Sequence, residues 1–93
     1  MRLTTAERQA IMEEIQRFDP KARVYLFGSR ADDDKRGGDI DLLVFSELLA
    51  DRIISLLKVR LYERLGEQKI DIVLARDQSK PFVRIALSEA VEL

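Results

Sequence analysis

The sequence contains no cysteine, no histidine and no tryptophan, and only two prolines and four glycines among its 93 residues. Without cysteine there can be neither a disulfide framework nor a thiolate zinc site, and without histidine imidazole is missing as a metal ligand or catalytic base. Acid–base or metal chemistry must therefore rest on carboxylates. No apolar run approaches the ~20 residues of a membrane span, and the first residues carry charges where a secretory signal needs an apolar core. A cytoplasmic location is the expectation. Neither sign of charge dominates, with 16 basic and 17 acidic residues and a net charge of −1. The basic excess that binding to a nucleic-acid backbone requires is thus lacking, and direct nucleic-acid binding is not expected.

What is present is the composition of an ordinary globular protein, 46% apolar and 35% charged, which argues against disordered, collagen-like and membrane classes. There is no internal repeat, low-complexity segment or linker, so a single domain over residues 1–93 is expected. A chain of this length holds one hydrophobic core and leaves no room for a separate substrate-recognition domain. Whatever the site lacks must come from a partner, in a homo- or hetero-oligomer.

Thr4 and Glu7 have the spacing of a capping box, and Ile11, Ile15 and Phe18 follow at helical intervals until Asp19-Pro20, predicting a helix over about residues 5 to 18. Arg23 to Phe27 reads as a strand that delivers Gly28 into a tight turn. The polar stretch from residue 30 to 38 is a loop with room for one helical turn. Ile40 to Phe45 form a second strand. From Glu47 to about Leu65 the chain reads as the longest helix, with Leu49, Ile53, Leu56, Leu57, Leu61 and Leu65 in an apolar stripe that Gly66 ends. Lys69 to Leu74 give a third strand, and a last helix starts near Pro81, turning Phe82, Ile85, Ala86 and Leu87 to the core. The order is αβ(α)βαβα, an α/β (α+β) unit with a mixed sheet of about three strands flanked by helices.

Within the second strand, Asp39 and Asp41 are two residues apart, so strand alternation places both side chains on one face. Like charges held that close repel and raise each other's pKa, a cost that a divalent cation removes. Carboxylate oxygens are hard ligands suited to Mg²⁺, which takes the rest of its shell from water and substrate phosphates. Asp71 lies between Ile70 and Ile72, an expensive place for a charge without compensation. If the third strand lies beside the second, three carboxylates converge, enough to hold two Mg²⁺ ions for an in-line displacement at phosphorus. Asp39 and Asp41 would bridge both ions, and Asp71 would bind the one that activates the attacking hydroxyl.

Gly28-Ser29 supplies the other half. Glycine lets backbone N–H groups approach a phosphate, and the serine hydroxyl adds a donor. Arg30, Lys35 and Arg36 are placed to neutralise triphosphate charge, against the commoner fate of loop cations, which is solvation. Asp32-Asp33-Asp34 reads as surface charge, since consecutive side chains diverge. Arg52, Lys58, Arg60 and Arg64 read as a solvated helix face, and Tyr25 and Tyr62 as structural.

Leu26-Phe27-Gly28-Ser29-Arg30-Ala31 and Gly38-Asp39-Ile40-Asp41-Leu42-Leu43-Val44 resemble the nucleotidyltransferase superfamily that includes DNA polymerase beta. Within it they look most like the small prokaryotic minimal nucleotidyltransferases, or MntA-like proteins. Asp71 falls where that family has its third strand carboxylate. Gly38 departs from the pattern, because these proteins often carry serine there, and a hydroxyl contact is lost. The resemblance implies transfer of a nucleoside monophosphate, AMP from ATP, to a hydroxyl. It implies as partner a HEPN-domain toxin, with the chain as its antitoxin and a toxin tyrosine as acceptor. A second reading keeps the antitoxin role but makes it occlusion, with a catalytically weak site. A third is transfer to a small molecule or a nucleic-acid end, which usually needs a larger substrate-binding region.

Overall fold

Thr4 and Glu7 cap the first helix in both directions. The Thr4 hydroxyl accepts from the Glu7 N–H at 3.0 Å, and the Glu7 carboxylate accepts from the Thr4 N–H at 2.9 Å, satisfying two donors that a helix start leaves open. The computed structural model describes residues 1–34 and 37–93. Helix α1 (Thr5–Phe18) leads into β1 (Arg23–Phe27), a 3₁₀ turn (Gly28–Ala31), β2 (Ile40–Phe45), α2 (Asp51–Leu65), β3 (Ile70–Ala75), α3 (Pro81–Ser88) and β4 (Val91–Glu92). The sheet runs β3-β2-β1-β4. β1 is antiparallel to β2 and to β4, whereas β2 and β3 are parallel, with α2 as the crossover that a parallel pair needs. This is the small mixed-sheet α+β unit that the sequence predicts, with a fourth strand added.

Strand alternation divides the sheet into two faces. Val24, Leu26, Ile40, Leu42, Val44 and Ile70 pack under α1 and α2 against Ile11, Ile15, Leu57 and Leu61. Leu43 and Ala75 face the other way, toward Val83 and Ala86 of α3, with Tyr25, Phe27, Phe45 and Val73 around them. Asp41 and Asp71 share the odd-numbered face with this second cluster. The carboxylates thus sit on the thinner side of the domain, which one eight-residue helix covers only in part.

Three expectations are corrected. Helix α2 starts at Asp51, not Glu47, because the Ser46 hydroxyl accepts the N–H groups of Leu48 and Leu49 at 3.1 and 3.0 Å and holds a turn there. Leu49 reaches the core from that turn. The apolar stripes are also narrower than their periodicity suggests. Leu56 is 45% exposed, as are Phe82 and Ile85 at 54% and 66%, while Val83 and Ala86 bury the inner side of α3. Finally, Arg60 and Arg64 are not merely solvated. They converge on Glu14, only 2% exposed, at 2.5 and 3.0 Å, tying α2 to α1 through a buried carboxylate that multiple charge-assisted bonds compensate.

Candidate active site

Antiparallel pairing brings the end of β1 to the start of β2, setting Phe27 opposite Asp41. Parallel pairing then sets Asp71 beside Asp41. One cross-strand row therefore reads Phe27, Asp41, Asp71, with the Gly28 turn leaving the sheet at its first member. Gly28 takes a φ of +71°, a conformation L side chains rarely adopt. A β-carbon there would overlap Asp41 Oδ2 and lie 3.3 Å from its carboxyl carbon. The glycine is required both by the turn and by the carboxylate resting on it.

Asp41 is held above the ordinary aspartate pKa, first by partial burial and then by the neighbouring charges of Asp71 and Asp39, with Lys69 opposing. It is the carboxylate of the three for which no ion pair forms among the described residues. Lys69 Nζ stands 3.6 Å from Asp39 and 3.9 Å from Asp71, and Lys58 approaches the other Asp71 oxygen at 3.8 Å. These are exposed, loosely made pairs that water and ions readily replace.

The donor set suits a hard divalent cation in chemistry: Asp41 and Asp71 are paired in register on β2 and β3, and Asp39, expected within the second strand, stands just before its first residue, Ile40. The Asp39 and Asp71 side chains are drawn toward Lys69 and Lys58 instead of closing with Asp41 on a common point. Among the described residues, no group of three or more acidic side chains is close enough to hold a metal ion as placed. Loading would require the Asp39 and Asp71 side chains to leave Lys69.

The Gly28-Ser29 turn borders a concavity of about 720 Å³, whose walls include Asp32, Asp34 and Glu89. This volume lies within the range of small-molecule sites, and its acidic wall favours a phosphate that arrives with its charge already neutralised. A second concavity of about 570 Å³, between Pro20, Phe45, Leu48 and Arg76, lies at the opposite end of the sheet from the carboxylates.

Of the sequence-predicted residues, Gly28, Ser29, Asp41 and Asp71 are brought together, and Asp39 joins them through Lys69. Arg30 turns into the protein. Its guanidinium donates to the carbonyls of Gly38 and Arg2 and to Gln68 at 3.2, 3.0 and 2.8 Å, so it braces the loop in this arrangement. Lys35 and Arg36 lie outside the described residues. Lys69 was missed although its signal is local, being two residues from Asp71 and hence on the same strand face. Arg2 and Gln68 were missed because their contacts span tens of residues and no local pattern announces them.

A glycine-serine turn at the end of one strand, packed against an aspartate of the next strand that is itself paired to a second aspartate one strand further on, suits chemistry at phosphate. The family model for the nucleotidyltransferase domain matches residues 8–92, and the chain belongs to that family. Its activity in general terms is nucleotidyl transfer. No curated protein gives a significant match to the chain. Among the described residues, no helix is long and apolar enough to cross a membrane.

Proposed function

We propose that the chain is a Mg²⁺-dependent nucleotidyltransferase that transfers AMP from ATP to a hydroxyl of a cognate HEPN-domain toxin, a tyrosine by resemblance, and so acts as its antitoxin. The observation that carries the catalytic part is the register placing Asp41 beside Asp71 while Gly28 packs on Asp41. It joins the acidic pair and the phosphate-facing turn in one place. Resemblance to minimal nucleotidyltransferases supports the partner and the antitoxin role.

In the proposed reaction the acceptor oxygen bonds to the α-phosphorus as the bond to the departing pyrophosphate breaks, and the hydroxyl proton passes to solvent. Asp39, Asp41 and Asp71 would hold divalent ions that neutralise phosphate charge and acidify the acceptor hydroxyl. Gly28 gives the phosphates close access to the backbone. The Ser29 hydroxyl, for which no bond forms among the described residues, donates to a phosphate oxygen. Asp71, on the outer strand, faces the acceptor side. The missing recognition surface is supplied by the protein substrate.

Purified chain, MgATP and the partner should yield a partner heavier by one adenylyl group, with the product absent for Asp39→Asn, Asp41→Asn and Asp71→Asn. Folded wild-type protein that gives no product would refute the reading. Neutralisation of the toxin retained by the Asp39→Asn, Asp41→Asn double variant would favour occlusion, a mode that the exposed Leu56, Val59 and Tyr62 on α2 could serve.

A further inference from the structure

Arg2 lies far in sequence from every residue of the site, yet its guanidinium meets the backbone of Ser29, Asp32 and Gly37. Its Nη2 donates to the Ser29 carbonyl at 2.9 Å and to the Gly37 carbonyl at 2.7 Å, and its Nε donates to the Asp32 carbonyl at 3.1 Å. The backbone reinforces the contact in both directions. The Arg2 N–H donates to the Arg30 carbonyl at 2.7 Å, and Arg30 Nη1 donates to the Arg2 carbonyl at 3.0 Å. One planar cation thus gathers three carbonyls, two within and just after the glycine-serine turn and one just before the acidic strand.

A guanidinium is suited to this task because its donors are fixed in a fork, so each bond helps to set the direction of the others. A carbonyl and the following N–H point in opposite directions across a trans peptide. Drawing the Ser29 and Gly37 carbonyls onto Arg2 therefore turns the next N–H groups, those of Arg30 and Gly38, away from it. The same hold fixes Gly38 against Ser29, where a β-carbon on Gly38 would come within 2.7 Å of Ser29 Cβ.

We propose that Arg2 is a positioning residue for nucleotidyl transfer, fixing the Gly28-Ser29 turn relative to Asp39 and Asp41 through the loop carbonyls without touching the nucleotide. This rests on the nucleotidyltransferase reading of the site. The test pairs kinetics with a measurement that needs no activity, namely amide exchange at Asp32 and Asp34, whose N–H groups are bonded inside the loop to the Ser29 carbonyl and the Asp32 side chain.

Arg2→Ala should raise KM for MgATP about tenfold while kcat stays within about threefold. The two amides should exchange about tenfold faster in the nucleotide-free protein. Arg2→Lys should recover only part of either effect, because one ammonium cannot span three carbonyls in a fixed plane. If Arg2→Ala does not fold, Arg2→Lys is read by the same two measurements. Unchanged KM, with or without faster exchange, overturns the proposal. So does a raised KM with unchanged exchange, which would make Arg2 a nucleotide contact. If the wild-type chain transfers nothing, the nucleotidyltransferase reading fails, and Arg2 retains only a loop-holding role if exchange accelerates, or none if it does not.

Discussion

Gly28 lies directly beneath the Asp41 carboxylate, close enough that a single methyl group cannot be placed between them. Gly28→Ala must therefore either push Asp41 aside or abandon the φ of +71°. A loss of about 1–3 kcal/mol in stability is expected from strain and overlap together. Nucleotidyl transfer should fall at least as far as in Asp41→Asn. Parallel denaturant melts and activity assays decide this, and full activity in a folded Gly28→Ala variant would contradict the packing described.

Gly38 immediately precedes Asp39. Its φ is +90°, and a β-carbon would meet Ser29 Cβ at 2.7 Å and Ser29 Oγ at 3.1 Å. Gly38→Ser should therefore not restore a missing hydroxyl contact in this chain. It should displace Ser29, lower stability by about 1–2 kcal/mol and weaken nucleotide binding. Tighter ATP binding by Gly38→Ser in calorimetry would show that the loop accommodates the side chain.

Asp41 is destabilised as an anion by partial burial and by Asp71 and Asp39. In chelator-treated protein at pH 7, Asp41→Asn should accordingly raise Tm, since the amide removes the charge that burial and the two neighbouring aspartates oppose. The same change should abolish transfer. A gain in stability bought with loss of activity separates a functional carboxylate from a structural one. A lower Tm would mean that Asp41 holds the fold together.

Glu14 is held below the usual carboxylate range, first by the Arg60 hydrogen bond, against burial, and further by Arg64 and Arg17. With its folded pKa depressed, its stabilisation is present above the unfolded value of 4.5 and is lost as pH falls through the lower folded pKa. Glu14→Gln should cost about 1–3 kcal/mol at pH 7, less than a fully enclosed pair because the arginines keep contact with water. The difference from wild type should shrink as pH drops below 4.5. A gap that stays constant with pH in urea titrations would assign the loss to packing.

Much of this arrangement is legible before folding is considered, where the signal is local. Thr4, Glu7 and Asp19-Pro20 bound α1 because caps and breakers act within a turn of the helix end. Asp41 and Asp71 are legible as strand carboxylates because apolar residues flank each, whereas Asp39 falls just before β2 and not within it. The start of α2 was misjudged because Leu49, only 1% exposed, belongs to the core without belonging to the helix, so apolar spacing continues past the helical boundary. Strand β4 is a two-residue strand paired only to Tyr25 and Leu26 of β1, and nothing in its own residues marks it. Glu14 looked like one acidic residue among several on α1, and its burial is decided by arginines more than forty residues away. The Arg2 clamp is non-local in the same way.

The in-register pairing of β2 with β3 has a consequence for how far this chain can drift in sequence. The separation of Asp41 from Asp71 follows the interval between hydrogen-bonded strands, about 4.8 Å in any sheet, and peptide groups common to every sequence set it. Helices α1 and α2 press on the opposite face, so volume-conserving exchanges among Ile11, Leu57 and Leu61 alter the support and leave the reactive interval almost untouched. The chemistry is thereby insulated from mutational turnover in the core, and diversification is free to proceed on the helices while the carboxylates keep their spacing.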